Sequence, residues 1–289
     1  MKKQPLQNFL DLPPEFSTYE KAKIVILPVP FEKTSTWIKG CSKGAKAIIE
    51  ASSNLEYYEI ETQSEIYKKG ICTSKPINAK TSEEMIRKVY EKVIKFLREG
   101  KFVVTIGGEH SVSIAPIKAH AEIFEDMSVL HLDAHSDRRN SYLGSKYNHA
   151  CVIARAKEFV KNVVSVGIRS MDASELKSAR EDKIFYAHEI RSSNDWIENV
   201  IKNLTKNVYI TIDVDVFDIG IMPSVGTPEP GGLNWYQILE LLKNVAKKRN
   251  IVGFDVVELC PNEKNKAPDV LAAKLIQVLL CYKFYPERI

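Results

Sequence analysis

The sequence predicts an α/β fold in which a parallel sheet is covered by helices on both faces. Short runs rich in Val and Ile alternate with helical patterns, and most of these runs are apolar without interruption. A strand with one face in water alternates apolar and polar residues, whereas a continuously apolar strand is buried on both faces, as in parallel sheets. The chain also has no linker, repeat or low-complexity segment, so one domain over residues 1–289 is expected. Lys23 to Pro30, Phe102 to Ile106, Met127 to Asp133, Asn162 to Ile168, Val208 to Asp213 and Ile251 to Val257 read as strands. The clearest helix is Ser82 to Glu99, where Ile86, Val89, Tyr90, Val93, Ile94 and Leu97 share a face. Thr81 and Glu84 suggest a capping box before it, and Gly100 stands where a stop is expected. A second helix follows Asn234 through Ile238, Leu239 and Leu242. A third starts at Pro268-Asp269, with proline in the first turn, and runs to Leu280.

Composition narrows the function classes. Hydrophobic residues make up 44% of the chain, enough for a sizeable core. Its 41 Lys and Arg are scattered among 37 Asp and Glu, with a net charge of only +4, so there is no basic stripe for nucleic acid. No apolar stretch approaches the ~20 residues of a membrane span. The basic start, Met1 to Pro5, has no apolar continuation, so no secretory signal is expected. Cys41, Cys72, Cys151, Cys260 and Cys281 are odd in number and form no CxxC pair, against both a disulfide framework and a thiolate zinc site. A cytoplasmic location is the expectation.

Polar residues gather where the strands end. Phe102 to Ile106 runs into Gly107-Gly108-Glu109-His110, Val129 to Leu132 into Asp133-Ala134-His135-Ser136-Asp137, and Val208 to Ile212 into Asp213-Val214-Asp215. Ligands of open α/β sheets bind outside the carboxyl ends of the strands, so these clusters should meet in one site. In an extended segment alternate side chains share a face, which would align Asp133, His135 and Asp137, and likewise Asp213 and Asp215. Carboxylates alternating with imidazole make an oxygen-rich ligand set suited to Mn or Mg. Four aspartates would offset two divalent cations, leaving His110 and His135 as neutral donors.

The segments GGEHS (Gly107 to Ser111), HLDAHSD (His131 to Asp137), TIDVDVFD (Thr211 to Asp218), GTPEPGGL (Gly226 to Leu233) and FDVVELCP (Phe254 to Pro261) resemble, in order and spacing, the ureohydrolase family of arginase, agmatinase and formimidoylglutamase. The likeness extends to VILPVPFEKTSTW and to APDVLAAKL, so it covers nearly the whole chain. The resemblance implies a single three-layer α/β/α domain with a parallel, roughly eight-stranded sheet and two Mn²⁺ per chain. It assigns His110, Asp133, Asp137 and Asp213 to one ion and Asp133, His135, Asp213 and Asp215 to the other. It further implies that activated water attacks a guanidinium carbon and that Asp137 helps move a proton to the departing amine. His149 resembles the family's proton shuttle, Glu258 the carboxylate that pairs with the guanidinium, and Thr227 a hydroxyl that supports the substrate. His120, His131 and His188 match no ligand position and read as structural.

The stretch Asn140 to Asn148 resembles the agmatinase version, with Tyr142, Gly144 and Tyr147, rather than the arginase one. The implied reaction is therefore agmatine to putrescine and urea, in polyamine biosynthesis. N1-aminopropylagmatine, arginine or another guanidino acid are the alternative substrates, and an inactive regulatory relative is the non-enzymatic alternative. A trimer or hexamer is implied. Arg138-Arg139-Asn140 replaces an acidic motif common in agmatinases, and a common proline is missing within Asp218 to Ile221; both are expected on substrate-facing loops. Arg138, Arg139 and Lys146 read as solvated loop charges. Glu189, Asp172 or a backbone carbonyl could accept a distal amine.

Overall fold

A computed structural model describes residues 8–289; the segment Met1 to Pro5 lies outside them. The strands are β1 (Ile24–Val29), β2 (Ile71–Thr73), β3 (Phe102–Gly107), β4 (Met127–Leu132), β5 (Asn162–Ile168), β6 (Lys183–Tyr186), β7 (Asn207–Asp213) and β8 (Asn250–Val257). All pair in parallel, in the order β2-β1-β3-β8-β7-β4-β5-β6. Consequently β3, β8, β7 and β4 lie side by side at the centre, and His110, Glu258, Asp213 and Asp133 stand at or just beyond their ends. The topology thus brings together segments more than a hundred residues apart in sequence, from His110 to Glu258.

Alternate residues of each central strand serve opposite faces. Val104, Ile106, Leu130, Leu132, Ile210, Ile212, Phe254 and Val256 pack with the helices Gly44–Ser52, Trp235–Lys248 and Ala267–Phe284. On the other face Val25, Leu27, Val29 and Val103 pack on the helix Ser82–Arg98, while Val129, Val163 and Val252 pack on Ile114 and Ile117 of Ile114–Ile123. Burial on both faces explains the uninterrupted apolar runs.

The six strands read from sequence are present, with no end shifted by more than one residue. The edge strands β2 and β6 were not legible: β2 has three residues, and β6 is half-exposed. The helix Ile114–Ile123 was missed because its residues are buried nearly all round, so no amphipathic stripe marks it. The capping box at Thr81 is only half formed. Thr81 accepts from the Glu84 N–H at 3.2 Å, but the Glu84 carboxylate accepts from the Lys80 N–H instead of turning back to Thr81. Full boxes are formed by Asn234 with Gln237, at the start of Trp235–Lys248, and by Asp172 with Glu175. Gly100 does end its helix, in the left-handed conformation at φ +73°.

Candidate active site

Local geometry, rather than strand alternation, aims the clustered side chains. His110 opens a 3₁₀ turn, His110–Ser113, directly after β3. Asp213 is the last residue of β7; its Oδ1 accepts the Asp215 N–H at 2.9 Å, capping the 3₁₀ turn Val214–Val216 that holds Asp215. Asp133 likewise accepts the His135 N–H, and Asp137 adopts a left-handed φ of +53°. Glu258, just beyond β8, has φ +67°. Such conformations cost free energy for residues other than glycine and concentrate at functional sites. The expected convergence is therefore found, but turns and caps produce it, not an extended backbone.

Two groups of potential metal ligands result, His110 with His131, Asp133 and Asp137, and Asp133 with His135 and Asp215; Asp133 belongs to both. The His110 Nδ1 lies 3.0 Å from Asp133 Oδ2, 3.1 Å from Asp137 Oδ2 and 3.5 Å from Asp213 Oδ2. The His135 Nδ1 lies 2.9 Å from Asp215 Oδ2 and 3.6 Å from Asp133 Oδ1. Burial and the Asp133 charge push the Asp137 carboxyl up to about 7. Burial, Asp215 and Asp133 push Asp213 well above the usual carboxylate range. Burial works against protonation of His110 and His135, yet their carboxylate neighbours outweigh it and hold both imidazoles well above the usual histidine range.

One atom tests whether cations fit. His110 Nδ1 is buried and makes no hydrogen bond. Its other nitrogen, Nε2, lies 2.9 Å from the Thr211 hydroxyl, which donates its own proton to Asp255 Oδ1 at 2.7 Å. With that proton committed, Thr211 can only accept, so Nε2 keeps a hydrogen, and Nδ1 is the nitrogen that would offer its lone pair when a cation takes the place of its proton. A metal-binding histidine is held in this way by an acceptor on its far nitrogen. The donor set therefore fits hard divalent cations.

His131, read as structural from sequence, touches the cluster. Its Nε2 lies 2.8 Å from Asp133 Oδ2, and its Nδ1 3.0 Å from the Ser165 hydroxyl, which accepts from Arg138 Nη2 at 2.8 Å. Burial lowers its pKa to about 4, so it stands as a neutral donor that orients Asp133. The only sequence signal was its place two residues before Asp133 on an apolar strand. Arg138 is a correction too. It is buried, with Nε donating to Asp182 Oδ2 at 3.0 Å and Nη1 to the Ser136 carbonyl at 2.7 Å, so it is no solvated loop charge. Arg139 is half-buried beside Asp172 (3.4 Å) and Glu175 (3.6 Å) and covers the Tyr142 ring, while Lys146 is exposed as expected.

The cluster opens into a cleft of about 260 Å³ whose walls include His110, His135, Asp137, Asp213, Glu258, Thr227, His149, Tyr142, Arg139, Asp172 and Glu175. Burial and Glu109 push Glu258 well above the usual range, and its Oε1 accepts the His110 N–H at 2.7 Å. Asp218 to Ile221 do not line the cleft, contrary to expectation. The Asp218 carboxylate instead accepts the Gly220 and Gly232 N–H groups within its own loop system. Glu189 is also absent from the cleft, whereas Asp172 is present.

The chain belongs to the arginase family, whose model matches residues 22–281. It is 39% identical over 262 residues to the N(1)-aminopropylagmatine ureohydrolase of Thermus thermophilus, covering 89% of each chain. It is 34% identical to the agmatinase of Pyrococcus horikoshii, covering 88% of this chain and 90% of that one. The crystal structure of the agmatine ureohydrolase of Thermoplasma volcanium matches with a TM-score of 0.89 at 32% identity, over 99% of this chain and 98% of the other.

Proposed function

We propose that this chain is a single-domain, Mn²⁺-dependent ureohydrolase that hydrolyses agmatine to putrescine and urea. The observation that carries the reading is the lining of one cleft by two groups: a buried cluster of carboxylates and imidazoles, and the carboxylate of Glu258 beside it. His110, Asp133, Asp137 and Asp213 would hold one cation, and Asp133, His135, Asp213 and Asp215 the other. Cations held there would supply Lewis-acid polarisation of the substrate and a bound water acidified toward neutral pH. The chain's own groups do the rest. Glu258, with one oxygen fixed by the His110 N–H, offers its other oxygen to the guanidinium, and that charge-assisted contact orients the reacting carbon. Thr227 supports the same placement, Asp137 passes a proton to the leaving amine, and His149 exchanges protons with solvent at the cleft mouth. A homo-oligomeric trimer or hexamer and a cytoplasmic location complete the reading.

A second reading has its own support. Asp172 and Glu175 stand in the cleft with only Arg139 between them as countercharge, and the Thermus relative is named for N1-aminopropylagmatine. The added amine of that substrate would find acceptors there. We expect kcat/KM for agmatine or its aminopropyl derivative to exceed that for arginine by at least ~10²-fold, in line with discrimination by a few polar contacts. Urea release measured side by side on the three substrates with Mn²⁺ decides between them. Arginine equal to or better than both amines would overturn the assignment.

A further inference from the structure

Glu109 has no part in the roles above, yet its carboxylate is fully buried and heavily used. Oε2 accepts the backbone N–H groups of Lys33 at 2.7 Å, Thr34 at 2.6 Å and Ser35 at 3.1 Å. Oε1 accepts the hydroxyls of Thr34 at 2.7 Å and Ser111 at 2.6 Å. Thr34 then meets His149 twice: its Oγ1 accepts the His149 backbone N–H at 3.0 Å and lies 3.2 Å from His149 Nδ1. A hydroxyl has one proton and two lone pairs. The proton of Thr34 goes to Glu109, so toward His149 the oxygen can only accept. Nδ1 must therefore carry the ring hydrogen, and Nε2 is left bare on a residue that lines the cleft.

We propose that Glu109 and Thr34 are positioning residues that fix His149 as its Nδ1–H tautomer, so that Nε2 is a ready proton acceptor. The proposal rests on the reading of His149 as the proton-exchanging group. Neither Glu109 nor Thr34 lines the cleft; their effect runs through the imidazole. Hydrogen bonding of one ring nitrogen decides which form the other takes. The alternative is that Glu109 merely fastens the loop 33–35, in which case the identity of the Thr34 side chain would matter little.

Three variants separate these roles. Thr34→Val removes the acceptor; kcat should fall at least ~10-fold, though by less than the ~10²–10⁴-fold expected on removing His149, with KM and metal content nearly unchanged. Thr34→Ser keeps the hydroxyl and should recover most of the loss. In Glu109→Gln the amide oxygen must take the Oε2 position to serve three backbone N–H groups, so the NH₂ faces Thr34 and donates. That reverses the hydroxyl, turns its proton toward His149 Nδ1 and favours the wrong tautomer, so kcat should again fall. In a His149→Ala background Thr34→Val should cost nothing more, since coupled residues are not additive. Equal losses with and without His149 would overturn the proposal, as would Thr34→Val with unchanged kcat. Nitrogen-15 spectra of the His149 ring in Mg²⁺-loaded protein read the tautomer without reference to urea. Nδ1–H in the parent and a shift toward Nε2–H in Thr34→Val are expected, and Nε2–H in the parent sinks the idea even if the enzyme is active.

Discussion

Two carboxylate–threonine–histidine chains meet this cleft, and they direct opposite ring nitrogens to it. In the first, Asp255 takes the proton of Thr211 and Thr211 faces Nε2 of His110, directing Nδ1 to the carboxylates. In the second, Glu109 takes the proton of Thr34 and Thr34 faces Nδ1 of His149, leaving Nε2 bare. Asp255, Thr211 and His110 are all shut away from solvent, with Tyr209 and Ser113 hydroxyls donating to Asp255 at 2.7 and 2.9 Å. Thr34 and His149 are only half-buried. A carboxylate acting through a hydroxyl thus sets which imidazole nitrogen is free, and depth decides what that nitrogen can meet. Deep in the sheet it meets fixed charges and suits a cation; at the rim it opens on the cleft.

Breaking each chain at its working end should give effects of different kind and size. The largest is expected for Asp213→Ala, whose carboxylate lies 3.5 Å from His110 Nδ1. Bound metal and urea release should fall together, because metal affinity and the folded site are one free energy; elemental analysis beside a urea assay checks this, and full metal content would break the comparison. His149→Ala should slow turnover by ~10²–10⁴-fold with metal retained, as general acid–base groups contribute; single-turnover rates at known metal content read it, and loss of metal equal to that of Asp213→Ala would place both histidines in one role. Thr211→Val should have the smallest effect on turnover. Loss of the acceptor behind His110 should weaken metal affinity by ~10–100-fold while saturating Mn²⁺ restores kcat. A Mn²⁺ titration of activity gives the answer, and an unchanged midpoint would show that the hydroxyl does not hold the tautomer.

The sequence disclosed the inner part of this site better than its supports. Asp133, His135, Asp137, Asp213 and Asp215 stand out because carboxylates and an imidazole directly after apolar strands have no place in an apolar core. Their partners do not stand out. Thr211 and Asp255 sit inside runs that read simply as strands, and their polarity is satisfied by neighbours that only the strand order β3-β8-β7 brings together. Thr34 lies 115 residues from His149, so nothing local could announce the pair. Arg138 shows the converse: beside Arg139 it reads as surface charge, but the fold buries it against Asp182, 44 residues away. Edge strands were lost for a simpler reason, since three residues of β2 are too few to show a period.

Gly108 has the narrowest tolerance that follows from this arrangement. A Cβ there would stand 2.0 Å from the Phe31 carbonyl oxygen. The same residue donates its N–H to Val29 O at 2.9 Å and accepts from Glu258 N at 2.8 Å, while its neighbour Glu109 donates to Phe31 O at 2.9 Å. In a saturation mutagenesis map this row would be blank, for a reason unrelated to chemistry at the position itself. Even alanine would wedge β1 from β3 and displace at once the loop that carries Thr34, the turn that carries His110 and the backbone of Glu258. An inherited change at this glycine would present as a compound lesion, with cation binding, proton exchange and substrate grip failing together, although the residue contributes no side chain to any of them.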